Sequence, residues 1–253
     1  MDLGARLAGR HVLVTGASSG LGAHFARLCS GCGARVSVAA RRRERLEALV
    51  AQLDAAGAAG VAALDLDVTD PDSVADCFAA LPAPLDVLVN NAGISGSGAA
   101  VDLPLESFDA VMATNLRGPW LTSTHAARAW RDSGRQGTIV NIASIVAERV
   151  AGGVAPYAVS KAGLKQMTKA LALEWARYGI RVNALAPGYV ETEINADFFA
   201  SPAGEALIKR IPMRRLGRPE DLDAAFLLLA SDAAPWMTGA LVPVDGGHLV
   251  SGL

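Results

Sequence analysis

Only three cysteines occur in 253 residues, Cys29, Cys32 and Cys77. An odd number with a single close pair does not build a disulfide framework, so the fold has to rest on a packed core. Cys29 and Cys32 match a redox or zinc spacing, yet they close a helical segment, where the helix dipole disfavours a thiolate, and no second ligand pair follows. The four histidines, His11, His24, His125 and His248, have no metal-ligand spacing and read as structural or exposed; no metal is expected. Charge of one sign is missing as well: 23 Lys and Arg face 25 Asp and Glu, a net of −2. That balance excludes the broad basic field a phosphate backbone requires, and the Arg-rich run from Arg41 to Arg45 is local, so nucleic acid is not an expected partner. No apolar run approaches the ~20 residues needed to cross a bilayer. The N-terminal MDLGARLAGR has no apolar core or cleavage site of a secretory signal. A cytoplasmic protein without a membrane partner is expected, with no internal repeat and no low-complexity linker.

What the chain does have is apolar content, 51% against 19% charged, enough to bury a sizeable core. The expectation is one domain over residues 1–253. Short β-branched runs alternate with longer helical patterns. Seven strands are predicted: Val12 to Val14, Arg35 to Ala39, Val61 to Leu64, Asp86 to Val89, Thr138 to Ile142, Arg181 to Leu185 and Leu241 to Val244. Between them lie amphipathic segments, such as Leu46, Leu49, Val50 and Leu53 at i, i+3, i+4 and i+7. Alternating strands and crossover helices predict an α/β fold, a doubly wound parallel seven-stranded sheet with helices on both faces. Ligands on such sheets bind beyond the carboxyl ends of the strands. The one long irregular stretch, about residues 189–219, reads as a lid over such a site.

Directly after the first strand comes Thr15-Gly16-Ala17-Ser18-Ser19-Gly20-Leu21-Gly22 and then a helical pattern. A glycine-rich turn between strand and helix lets the backbone approach a pyrophosphate, whose charge the helix N-terminus stabilises. The spacing is Gly-x-x-x-Gly-x-Gly, which differs from the general dinucleotide fingerprint Gly-x-Gly-x-x-Gly. Two further strand ends converge on the same edge. Asn90-Asn91-Ala92-Gly93 lies where a ribose would sit, and Asp65-Leu66-Asp67-Val68 brings a carboxylate within reach of an adenine amino group. The second strand ends Ala39-Ala40-Arg41-Arg42 and lacks the acidic residue that would hold a ribose 2′-hydroxyl. Arg41 stands beside the vacancy with Arg42 after it, and a guanidinium can bind a 2′-phosphate bidentately, so Ala40 with Arg41 favours NADP(H) over NAD(H).

Tyr157 and Lys161 are one helical turn apart in a segment continuing with Leu164, Thr168, Leu171 and Trp175. A neighbouring ammonium stabilises a phenolate, which would lower the tyrosine pKa toward neutrality and make Tyr157 an acid or base. Ser144 follows the fifth strand, at the same carboxyl edge, where its hydroxyl could hold a carbonyl oxygen. Asn115 sits where the apolar stripe of Phe108, Val111 and Met112 calls for a hydrocarbon; a buried amide needs partners, so it belongs to a polar network.

Residues Thr15 to Gly22, Asn90 to Gly93, Asn115, Ser144, Tyr157-x-x-x-Lys161 and Pro187-Gly188 together resemble the ordered motif set of the short-chain dehydrogenase/reductase family, over nearly the whole chain. The ending Val244-Asp245-Gly246-Gly247 is similar to that family's C-terminal signature. The resemblance implies a Rossmann-like fold and a hydride exchanged between nicotinamide and a ketone or secondary alcohol. Tyr157 would move the proton and Ser144 orient the oxygen. Lys161 would lower the tyrosine pKa and hold the nicotinamide ribose, and Asn115 would anchor a water joining Lys161 to solvent. Pro187, Gly188, Val190 and Thr192 would cover the nicotinamide carboxamide. It also implies a homotetramer built through helices at about residues 105–131 and 156–178.

Two alternatives accompany this expectation. Arg214-Arg215-Leu216-Gly217-Arg218-Pro219-Glu220 resembles 3-oxoacyl-carrier-protein reductases as well as many alcohol and sugar dehydrogenases, and Arg135 and Arg177 lie where carrier-protein-reducing members place basic residues. A non-catalytic dinucleotide-binding sensor is the rival of another class; the intact Ser144, Tyr157 and Lys161 argue against it.

Overall fold

The computed structural model describes residues 2–193 and 196–251. Seven strands form one sheet: β1 (His11–Thr15), β2 (Arg35–Ala40), β3 (Val61–Asp65), β4 (Val87–Asn90), β5 (Gly137–Ile142), β6 (Ile180–Pro187) and β7 (Leu241–Val244). Their order is β3-β2-β1-β4-β5-β6-β7 and every pairing is parallel. A parallel sheet buried on both faces needs apolar side chains in both directions, which is why the strands read as continuous hydrophobic runs.

Alternate residues feed two cores. Val12, Val14, Val87 and Val89 pack with Phe25 of α1 (Gly20–Gly31), Leu46, Leu49 and Leu53 of α2 (Arg43–Ala55), and Phe226 of α9 (Asp223–Ala230). Leu13, Leu88 and Ile139 point the other way. They meet Val74 of α3 (Pro71–Ala79), Trp130 of α5 (Gly118–Asp132) and Leu171 of α6 (Ala155–Trp175). Burying each such side chain contributes roughly 1.5–3 kcal/mol. Phe25 and Phe226 stack with centroids 4.2 Å apart, locking α1 to α9. The chain runs outward from β1 in one direction and from β4 in the other, leaving a crevice at their carboxyl ends.

Two expectations need correction. The helix expected across about residues 105–131 is interrupted: α4 (Leu105–Met112) opens into a single π turn at Ala113–Arg117 before α5. Pro119 has no N–H to donate to the carbonyl of Asn115 four residues earlier, so the regular ladder cannot run through this point. The stretch about 189–219 is not wholly irregular either. It carries α7 (Ala196–Phe199) and α8 (Pro202–Ile208), too short for periodicity to reveal. The cap of α8 is local, with Ser201 Oγ accepting from Gly204 N at 3.2 Å and Pro202 at the first turn. The base of the segment is closed by main-chain bonds, Gly217 N to Tyr189 O and Glu191 N to Gly217 O, both 2.9 Å.

Candidate active site

A cavity of about 560 Å³ runs along the carboxyl edge of the sheet. Most of the expected catalytic and cofactor-binding residues line it, while Gly22 and Asn115 do not. Those two act from behind the wall.

At one end the glycine turn is held against β4. Thr15 Oγ1 donates to Val89 O at 3.2 Å and accepts from Asn91 N at 3.0 Å and Ala92 N at 3.1 Å. Asn91 Nδ2 donates to the carbonyls of Thr15 and Gly16 at 3.0 and 3.2 Å, so this amide fastens the turn. Gly16 has φ +66°, and a Cβ there would lie 2.7 Å from Ala92 Cα; one on Gly22 would lie 2.4 Å from Asn91 Nδ2. Only glycine allows this approach, and it produces a backbone cradle at the N-terminus of α1 that fits a pyrophosphate.

Beside the cradle, Arg42 rather than Arg41 is the engaged guanidinium. Arg42 Nη2 donates to Ser18 Oγ at 2.8 Å and Ser19 Oγ at 2.7 Å. Arg41 reaches outward, 71% exposed, with Nη1 3.9 Å from Asp67 Oδ2. Asp67 Oδ1 accepts from Thr69 N and Thr69 Oγ1 at 2.9 and 2.7 Å. Burial opposes ionisation of Asp67, and the Thr69 hydrogen bonds with Arg41 outweigh it, so its pKa lies below the ordinary value. The donor set is basic and hydroxylic with no carboxylate at Ala40, which suits a phosphate on the adenosine ribose.

At the other end, β5 delivers Ser144 and α6 delivers Tyr157 and Lys161. Ser144 caps a short helical turn, its Oγ accepting from Val146 N at 3.3 Å, and it is hydrogen-bonded to the Tyr157 side chain. Lys161 is buried; its Nζ donates to Ile142 O at 2.7 Å and lies 5.6 Å from the Tyr157 ring centroid. Burial pushes Lys161 down to about 8. The folded value is below the unfolded one, so the cost of burying the ammonium is fully present below about pH 8 and is relieved as pH rises above it. Tyr157 departs from expectation: burial raises its pKa, the Ser144 hydrogen bond opposing and nearby Tyr189 adding to the rise. Desolvation sets the direction here, and a raised phenol is a proton donor at neutral pH.

Asn115 is fully buried in the π turn and its side chain is held on both sides. Its Oδ1 accepts from Ile94 N and its Nδ2 donates to Ile94 O, both at 2.8 Å, with a further bond to Ser160 Oγ at 3.1 Å. The side-chain amide thus brackets Ile94 and fixes the wall beyond Gly93. Tyr189 escaped the sequence reading although it lies between Gly188 and Val190. It lines the cavity, packed edge-on to Phe199 at 6.1 Å and tilted on His248 at 5.4 Å. An aromatic immediately beyond a strand's carboxyl end was the available signal. Among the described residues no group of three His, Cys, Asp or Glu could hold a metal, and no helix is long and apolar enough to cross a membrane.

Comparison with known proteins agrees with this geometry. The family described as enoyl-(acyl carrier protein) reductase matches residues 16–248. Gluconate 5-dehydrogenase of Gluconobacter oxydans (strain 621H) is 37% identical over 249 residues, 97% of this chain and 96% of that protein. The 3-oxoacyl-[acyl-carrier-protein] reductase FabG of Thermotoga maritima is 38% identical over 249 residues, 97% of this chain and 100% of that one. Among solved structures, a gluconate 5-dehydrogenase from Burkholderia cenocepacia J2315 in complex with NADP and tartrate superposes with a TM-score of 0.93 at 33% identity, covering 98% of each chain. With a full-length match in sequence and fold, and the motif set gathered along one cavity, the chain is a member of the short-chain dehydrogenase/reductase family of oxidoreductases.

Proposed function

We propose that this chain is an NADP(H)-dependent enzyme interconverting a ketone and a secondary alcohol, with Ser144, Tyr157 and Lys161 as its catalytic residues. The observation that carries the reading is the placing of this trio at one end of a cavity whose other end is the glycine cradle and Arg42. The bound dinucleotide supplies or accepts the hydride. Tyr157 donates its phenolic proton to the carbonyl oxygen in reduction and recovers it in oxidation, and the Ser144 hydroxyl orients that oxygen. Lys161 holds the nicotinamide ribose and stabilises the phenolate formed when Tyr157 gives up its proton. Gly16, Gly20 and Gly22 would let main-chain N–H groups reach the pyrophosphate, and Arg41 and Arg42 would hold the 2′-phosphate. Asp67 and Val68 would hold the adenine, and Asn91, Ala92 and Gly93 the ribose. Pro187, Gly188, Val190 and Thr192 would hold the carboxamide, and the segment about 189–219 would serve as the substrate lid of a single domain.

The test is to mix pure protein with NADPH or NADH and a panel of ketones that includes keto sugar acids, and with NADP+ and the matching alcohols, and to follow nicotinamide absorbance. Turnover with NADPH preferred is expected. Tight dinucleotide binding with no consumption on any ketone or alcohol would establish the sensor reading instead. The carrier-protein alternative draws on the FabG relative, but the two arginines it invokes are occupied. Arg135 pairs with Asp86 at 2.7 Å, and the Arg177 guanidinium lies 4.9 Å from the Tyr178 ring centroid.

We also propose a homotetramer. A groove of about 780 Å³ lies on the outer face of α5 and α6, where Leu116, Trp120, Met167 and Leu171 surround Gly163 and Ala170. Trp120 is 49% exposed there, and a second copy of the chain would cover it. Sedimentation equilibrium should give the tetramer mass, reduced by Trp120→Asp; a monomeric parent would overturn this.

A further inference from the structure

A chain of buried side-chain hydrogen bonds runs beneath the site and has no part in the mechanism above. Thr122 Oγ1 donates to Asn90 Oδ1 at 2.6 Å, and Asn90 Nδ2 donates to Ser123 Oγ and to Asn141 Oδ1, both at 2.9 Å. Asn141 Nδ2 then donates to Thr168 Oγ1 at 2.9 Å, and Thr168 donates its one hydroxyl hydrogen to Leu164 O at 2.8 Å. All five side chains are at most 2% exposed. The network therefore crosses from α5 through β4 and β5 to α6, where a sheet-helix contact would ordinarily be apolar. Apolar contact is non-directional and lets a helix slide; a hydrogen bond lengthened by the ~1.5 Å rise of one residue is lost.

The position of Thr168 gives the network its meaning. It lies seven residues beyond Lys161 and eleven beyond Tyr157, and at 100° per residue both separations return to within about 20° of the same direction. Thr168 thus stands on the stripe of α6 that carries the chemistry. Its partner Asn141 stands on β5 three residues before Ser144. A second side-chain tie between these elements is Lys161 Nζ to Ile142 O, at the adjacent strand residue. That tie uses a group the mechanism needs for the ribose, whereas the Asn141–Thr168 bond leaves the mechanism's groups untouched. We infer that Asn141 and Thr168 are positioning residues whose buried hydrogen bond sets the register of α6 on β5, and so holds Tyr157 and Lys161 opposite Ser144. The inference rests on the proposed oxidoreductase reading of that site.

Thr168→Val keeps the shape and removes the hydroxyl; Thr168→Ser keeps the hydroxyl. The valine variant should bind NADPH within about twofold of the parent by fluorescence titration, yet lose about 10- to 100-fold in kcat, the scale of a small misplacement of reacting groups. Serine should restore it. In Thr168→Val one Asn141 N–H loses its acceptor and Tm falls; kcat measured well below the lowered Tm, with the circular dichroism of the parent retained, should still show the loss. A kcat within about twofold of the parent in Thr168→Val would reduce the network to a packing device and overturn the inference. A readout independent of turnover separates this from failure of the functional reading. The chain has three tyrosines, so the Tyr157 ionisation can be isolated as an ultraviolet difference against Tyr157→Phe. Its midpoint should shift in Thr168→Val, and an unshifted midpoint overturns the inference whether or not any substrate is turned over.

Discussion

Tyr157→Phe is expected to lower kcat by about 10²- to 10⁴-fold, the range for loss of a positioned acid or base, with little change in the KM for NADPH. The phenyl ring keeps the packing of the phenol and removes only the hydroxyl that meets Ser144. Burial raises the Tyr157 pKa, so near pH 7 this group holds a proton ready for a carbonyl oxygen. Its partners Lys161 and Ser144 do not replace it. Lys161 is fully buried and its ammonium is directed to Ile142 O, while an aliphatic hydroxyl such as Ser144 is too weak an acid. Steady-state kinetics on any substrate accepted by the parent decide the matter, and a kcat within tenfold of the parent would remove Tyr157 from the mechanism.

The second large effect concerns the cofactor. Arg42→Ala should weaken NADPH by about 10- to 150-fold in KM, corresponding to the roughly 1.5–3 kcal/mol of hydrogen bonds to a charged group, while NADH changes little. Arg42 is held over the turn by Ser18 and Ser19, so its guanidinium is already placed and little freedom is lost on binding. Arg41 is more exposed and shares its charge with Asp67, so Arg41→Ala should cost less. The ratio of kcat/KM for NADPH over NADH measures both. If Arg42→Ala leaves that ratio unchanged, the discrimination lies elsewhere.

Seven strands were legible because burial on both faces leaves uninterrupted runs such as Val12 to Val14, and the site followed because strand ends are where such runs stop. Other features depend on partners distant in sequence. Asn141 sits inside the run Thr138 to Ile142 and reads as one more strand residue; its partners Asn90 and Thr168 are 51 and 27 residues away. The π turn needs the bonding of Asn115 to Ile94, which no periodicity displays. Which of two adjacent arginines turns toward Ser18 is decided by the backbone beyond β2, a direction that position in the sequence does not display. The tyrosine pKa was judged from the nearby cation alone, and the depth of burial, which reverses its sign, is invisible in a one-turn spacing.

The main-chain bonds of Tyr189 and Glu191 to Gly217 seal the foot of the segment that follows β6. A loop sealed at its foot behaves as an exchangeable cassette: its interior can be lengthened, shortened or rewritten without disturbing the strand that carries it. On the proposed reading, taste for substrate and hydride chemistry can then be inherited separately, so one scaffold can be retuned by small steps that each leave a folded chain.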